Sequence, residues 1–219
     1  MRVPRCKCDL PAGTCADINC PHSLSSLDNS KFWIEGWACS KYSAEAYVKT
    51  PIGNLVKKVK YERDPSYSEL ERTQDAKKIS NKVIEMIKWL YDIKNLPFDI
   101  CMSPPSHQNK PLDLAQFIAK SLSGGSVKYA DKVLVERMEL SAVKNKTKYE
   151  RSIQLLDNFV LDCPEEFYPK KGFLVVDDVF ETGSTLKGIC RAINQVFPGM
   201  PRYVITATYI GQMGKIQAL

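Results

Sequence analysis

The chain has 219 residues, 44% of them hydrophobic, which fits one α/β domain plus a small appendage and excludes the disordered and collagen-like classes. A formal net charge of +6, from 31 basic and 25 acidic residues, suits an anionic ligand or a nucleic-acid surface as readily as an ordinary soluble surface. Met1–Leu10 holds no apolar run long enough for a signal peptide and no later stretch approaches bilayer-crossing length, so a cytoplasmic protein without a membrane partner is expected.

From the N-terminus, five of the eight cysteines fall within the first 40 residues, and Cys101, Cys163 and Cys190 are scattered among apolar segments. Cys6, Cys8, Cys15 and Cys20, spaced C-x-C-x6-C-x4-C, offer four thiolates for a tetrahedral Zn²⁺, with His22 and Cys39 as spare ligands. The alternative is a set of small buried thiols in a reduced protein. Phe32, Trp33 and Trp37 read as a mini-core around such a metal. Residues 1–45 are therefore set apart as a Cys-rich segment ahead of a domain spanning 46–219.

Ala46–Lys60 shows short apolar stretches around a Pro-Ile-Gly turn, and Tyr61–Tyr67 reads as a linker. Ala76, Ile79, Val83, Ile87, Leu90 and Tyr91 recur at three and four, which predicts an amphipathic helix over Tyr67–Asp92. Next come an apolar run at Phe98–Met102, a helix at Leu112–Leu122 ended by Gly124-Gly125, a strand at Lys132–Glu136 and a helix around Tyr149–Asn158. A buried strand at Phe173–Asp177, a helix at Thr185–Phe197 and a last strand at Tyr203–Tyr209 complete the order. Strands alternating with helices predict an α/β fold, a mainly parallel sheet flanked by helices, whose ligands collect at the carboxyl ends of strands.

The chemistry concentrates where Phe173-Leu-Val-Val176, an apolar run, leads to Asp177 and Asp178 and then through Glu181-Thr182-Gly183-Ser184-Thr185 into a helix. A helix N-terminus offers unpaired amides and partial positive charge, so a turn with glycine and hydroxyls around it makes a phosphate cradle. The two carboxylates, acceptors only, suit sugar hydroxyls or an aquated Mg²⁺. A ribose 5-phosphate binder follows, against the plainer reading of a strand end and a helix cap. It is not a P-loop, since GxxxxGK[ST] is absent and Lys187 follows the threonine.

Leu174–Thr185 resembles the signature of type I phosphoribosyltransferases, which bind 5-phosphoribosyl 1-pyrophosphate (PRPP). The resemblance implies the fold of that family, Asp177 and Asp178 on the ribose 2′- and 3′-hydroxyls, and Glu181, Thr182, Gly183, Ser184 and Thr185 around the 5′-phosphate. Glu181 stands where many members carry threonine, and purine-salvage members carry an acid there. This makes Glu181 a candidate general acid/base alongside Asp177 and Asp178, or else a solvent-facing turn residue. The family's pyrophosphate loop corresponds to Ser103, Pro104, Pro105 and Ser106, with Lys110 and His107 as sources of charge; the Pro pair also serves simply as a strand stop. Val143–Arg151 is either a solvated loop or a flap bringing Lys144, Lys146, Lys148 or Arg151 onto pyrophosphate.

The order of parts, including Leu155-Leu-Asp-Asn-Phe159 after the flap, is similar over most of the chain to the ComF family of competence-associated phosphoribosyltransferase-like proteins. Where that family carries an arginine-rich run, this chain has Gln108-Asn109-Lys110-Pro111. The resemblance implies PRPP with Mg²⁺ as substrate complex and displacement of pyrophosphate by a nitrogen nucleophile. The alternative is a non-catalytic PRPP- or nucleic-acid-binding role, with single-stranded DNA, DNA-processing proteins or a second copy of the chain as partners.

Overall fold

The computed structural model describes residues 22–24, 29–45, 48–62, 64–94, 96–105, 112–124, 126–137 and 147–210. Strands β1 (His22–Ser23), β2 (Glu35–Lys41), β3 (Ser43–Glu45) and β4 (Val48–Lys49) precede helices α1 (Pro51–Tyr61) and α2 (Glu69–Lys94). Then follow β5 (Ile100–Met102), α3 (Leu114–Leu122), β6 (Lys128–Tyr129), β7 (Leu134–Glu136), α4 (Lys148–Leu156) and β8 (Phe159–Leu161). β9 (Phe173–Phe180), α5 (Ser184–Val196) and β10 (Arg202–Tyr209) end the order.

The main sheet runs β1-β2-β10-β9-β5-β6, parallel throughout except for β1, which pairs antiparallel with β2. The expected α/β architecture, a mainly parallel sheet between helices, is therefore present. Phe173, Leu174, Val175 and Val176 at its centre have no exposed surface, as a strand covered on both faces requires. Their alternation sorts the core. Leu174 and Val176 pack with Val56 and Val59 of α1, Ile79 and Val83 of α2 and Ile118 of α3. Phe173 and Val175 pack on the other face with Leu186, Ile189 and Ile193 of α5 and Leu155 of α4. Burying each large aliphatic side chain contributes about 1.5–3 kcal/mol.

Several elements differ from their sequence expectations for local reasons. Ala46–Lys60 is not loose chain around a turn: Pro51–Tyr61 is a helix. Thr50 caps it by accepting from Gly53 N at 2.9 Å, and Pro51 fills the first turn, where its missing N–H costs nothing. Lys132 has φ 58°, so the strand expected from that position starts at Leu134. β7 then pairs antiparallel with β8 alone, and Val135 is 49% exposed, as suits a two-stranded ribbon outside the main sheet. β2, from the Cys-rich part of the chain, lies within the main sheet, and Trp33 is buried in the same core as Phe173. No helix among the described residues is long and apolar enough to cross a membrane.

At the end of the sheet where β5 and β9 begin, Asp99 accepts hydrogen bonds from the amides of Lys170, Lys171 and Gly172 at 2.8, 3.0 and 3.1 Å. Partial burial works to raise its pKa, but these three amides outweigh it and hold the carboxyl below its ordinary range. The neighbouring strands β5 and β9 are thus tied at their start.

Candidate functional site

The chain leaves β5 toward β6 on one side, while β9, on the other side of β5, leads through α5 to β10. Strand order thus reverses between β5 and β9. A reversal of this kind opens a crevice at the carboxyl ends of the two strands, because their outgoing connections turn to opposite faces. The crevice is bounded by Ser103–Pro105 after β5 and by the second half of β9.

β9 does not stop at the acids. It pairs with β5 only as far as Val175, opposite Met102, but continues along β10 to Phe180, opposite Tyr209. Asp177 and Asp178 therefore stand on a strand that overhangs its shorter neighbour, and by alternation they point to opposite faces. Asp177 Oδ1 accepts from the Asp178 amide at 2.8 Å, and the Asp178 carbonyl accepts from Thr208 Oγ1 at 3.3 Å. Level with Asp177 on β10, the buried Thr206 Oγ1 has no hydrogen-bond partner.

The carboxylates differ in setting. Asp178 is 7% exposed and faces α1, where Lys60 Nζ lies 2.6 Å from its Oδ1. Burial alone would lower the Lys60 pKa; the facing Asp178 and Asp177 carboxylates outweigh it and raise it, so the ammonium stays charged. Among the described residues Asp177 has no such ion-pair partner. Desolvation of this half-buried carboxyl, reinforced by the neighbouring Asp178 charge, pushes its pKa up to about 7, against the smaller opposing pull of Lys60. A carboxyl whose pKa is raised toward neutrality beside a second acid is the kind of group found at reactive sites.

The turn after β9 meets α5 through Gly183, whose φ of 72° places it in the left-handed region. A Cβ there would come within 2.6 Å of the Phe180 ring, so conformation and space both call for glycine. Thr182 Oγ1 lies 2.8 Å from Ser184 Oγ and accepts from the Ser184 amide at 3.3 Å. Glu181 and Thr182 are exposed at the mouth, whereas Ser184 is buried and Thr185 half-buried. With a glycine N-cap, the first amides of α5 face a turn lined by hydroxyls, a geometry that accepts a phosphate-sized anion. Across the crevice, Ser103 is buried with its Oγ 3.3 Å from Tyr129 OH, and Pro104 and Pro105 are half-buried.

The structure thus brings Asp177, Asp178, the Glu181–Thr185 turn and Ser103–Pro105 to one end of the sheet. Ser106, His107, Lys110, Lys144 and Lys146 lie outside the described residues, as do Cys6, Cys8, Cys15 and Cys20. Lys148 and Arg151 belong to α4, in the turn that follows the Thr147 cap. Among the described residues no group of three or more His, Cys, Asp or Glu is placed to hold a metal ion. Cys39, offered as a spare zinc ligand, is instead a core thiol on β2, and burial raises its pKa.

Lys60 carried no role in the sequence reading. Its signal was Ile52, Leu55, Val56 and Val59 at helical spacing behind a Thr-Pro start, which places Lys60 in a last helical turn. The partner 118 positions away in the chain has no sequence signature. Compared with known proteins, the chain matches no family model and no curated protein sequence.

Proposed function

We propose that this chain is a type I phosphoribosyltransferase-like protein, related to the ComF family, that binds PRPP and displaces its pyrophosphate with a nitrogen nucleophile. The observation that carries this reading is a juxtaposition. A two-carboxylate strand end lies beside a glycine-and-hydroxyl turn at a helix N-terminus, at the point where strand order reverses. A ribose 5-phosphate presents the complementary groups: vicinal hydroxyls at one end and a dianion at the other.

In this reading the Thr182–Thr185 turn takes the 5′-phosphate on backbone amides and hydroxyls, and the aspartates accept from the ribose hydroxyls. Ser103–Pro105 lies where the pyrophosphate would rest. The bond from C1 to the pyrophosphate oxygen breaks with its electron pair on the leaving group, and a C1–N bond forms to the acceptor. Glu181, exposed at the mouth, takes the proton that the nitrogen sheds. The acid pair does not suit direct coordination of Mg²⁺, since Asp178 is already paired with Lys60 and Asp177 holds its proton up to about pH 7. Mg²⁺ accordingly belongs to the substrate, on its pyrophosphate oxygens.

Pyrophosphate release from PRPP, measured across a panel of nucleobases, tests the assignment. Turnover with one acceptor is expected for the wild type, and Asp178→Asn is expected to abolish it with an unchanged circular-dichroism spectrum. Full turnover by Asp178→Asn would overturn the reading. PRPP binding without release in any combination would favour the non-catalytic alternative.

A further inference from the structure

Lys60 lies outside the motif that defines the crevice, yet it makes the shortest ion pair there, 2.6 Å to Asp178 Oδ1, with side chains only 20% and 10% exposed. A buried ion pair is a poor stabilising device, because stripping water from both charges offsets most of their attraction. The surrounding structure nevertheless fixes this lysine firmly. Thr50 closes the start of α1 and anchors it to β2 by donating to the Lys41 carbonyl at 2.6 Å. Gly53 approaches the link between β2 and β3 so closely that a Cβ would collide with the Tyr42 carbonyl. At the other end of α1, the Arg72 guanidinium donates to the carbonyls of Val59 and Glu62, on either side of Lys60.

A lysine held this way changes what the acid pair can bind. Two vicinal carboxylates without a counter-ion attract a divalent cation. With one oxygen of Asp178 bonded to an ammonium, the charge of that carboxylate is balanced, while its second oxygen keeps its lone pairs for a hydroxyl. The Asp178 backbone is fixed too, through Thr208.

We propose that Lys60 is a positioning residue, the resident cation of the acid pair, which aims Asp178 at a sugar hydroxyl and occupies the place a divalent ion would take. The identity of the hydroxyl rests on the phosphoribosyl reading; the exclusion of metal does not.

Two titrations of the full chain test it. In EDTA, calorimetry with ribose 5-phosphate is expected to show binding to the wild type, a loss of about tenfold or more in Lys60→Met, and substantial rescue in Lys60→Arg, which restores the cation. Without organic ligand, Mn²⁺ followed by electron paramagnetic resonance is expected to show no uptake dependent on Asp178 in the wild type. Uptake is expected in Lys60→Met, and its loss in the Lys60→Met/Asp178→Asn double variant. Lys60→Gln carries the same comparisons should Lys60→Met not fold. Wild-type ribose 5-phosphate affinity in the lysine variants, or equal Asp178-dependent Mn²⁺ uptake with and without Lys60, overturns the proposal. If the wild type binds neither ribose 5-phosphate nor PRPP, the phosphoribosyl reading falls with the sugar half of the proposal, and the Mn²⁺ comparison decides the rest.

Discussion

Asp177 and Asp178 are chemically identical neighbours, and the strand makes them different. Alternation sends Asp178 toward a lysine and leaves Asp177 half-buried beside a like charge, with its pKa pushed up to about 7. The consequence for stability has a definite sign. An aspartate that titrates near 3.8 in the unfolded chain and near 7 in the folded one gives the folded state an extra proton between those values. Its stabilising contribution is complete below about pH 4 and is lost as pH rises toward 7. Asp177→Asn cannot ionise, so its stability should fall less than that of the wild type on going from pH 5 to pH 8, and it should be the more stable protein at pH 8. Urea midpoints of both proteins at the two pH values check this; an equal change in each would refute the raised pKa. Comparing the two differences cancels Asp99 and the other carboxylates that titrate in both proteins.

Among the elements, β9 and α5 were legible and α1 was not. The four-residue apolar run before Asp177 and the helix face of Leu186, Ile189, Ile193 and Val196 are local patterns, and the structure buries all of them but Val196, which is 44% exposed in the last turn of α5. In α1 the apolar positions are interleaved with lysines, and Gly53 sits near its start, so local propensity suggested a turn where Thr50 capping and packing on β2 impose a helix. Arg72 of α2 is the main tertiary support for its last turn. It is 8% exposed, stacks 4.8 Å from the Tyr67 ring and donates to the carbonyls of Val59, in the last turn of α1, and Glu62, its C-cap. Arg72→Ala should therefore destabilise the fold by about 1.5–3 kcal/mol, the range for hydrogen bonds that involve a charged group. A urea-unfolding loss below about 0.5 kcal/mol would show that water replaces the guanidinium at no cost, as at ordinary surface positions.

For the whole molecule, strand order is the property that the sequence withheld. Alternating patterns showed that strands and helices follow one another. They did not show that β9 inserts between β5 and β10, because partners such as Ile100 and Phe173, or Phe173 and Arg202, are far apart in the chain and leave no local trace. That insertion builds the crevice from both halves of the domain, with Ser103–Pro105 on one side and β9, the turn and α5 on the other, while Lys60 reaches in from α1. A ligand that bridges these parts binds only the folded arrangement and must stabilise it by mass action. At a PRPP concentration of about 100 times its dissociation constant, the gain is about 2.7 kcal/mol. For a chain of this size each kcal/mol moves the melting temperature by roughly 2–4 °C, so a rise of about 5–10 °C is expected. Asp178→Asn should lose most of that rise, measured against its own ligand-free melting temperature, because the substitution removes the carboxylate that accepts from the ribose. Differential scanning fluorimetry with PRPP, with inorganic pyrophosphate and with ribose 5-phosphate separates the contributions. A shift from pyrophosphate alone that equals the shift from PRPP would mean that the ribose end of the crevice contributes nothing to binding.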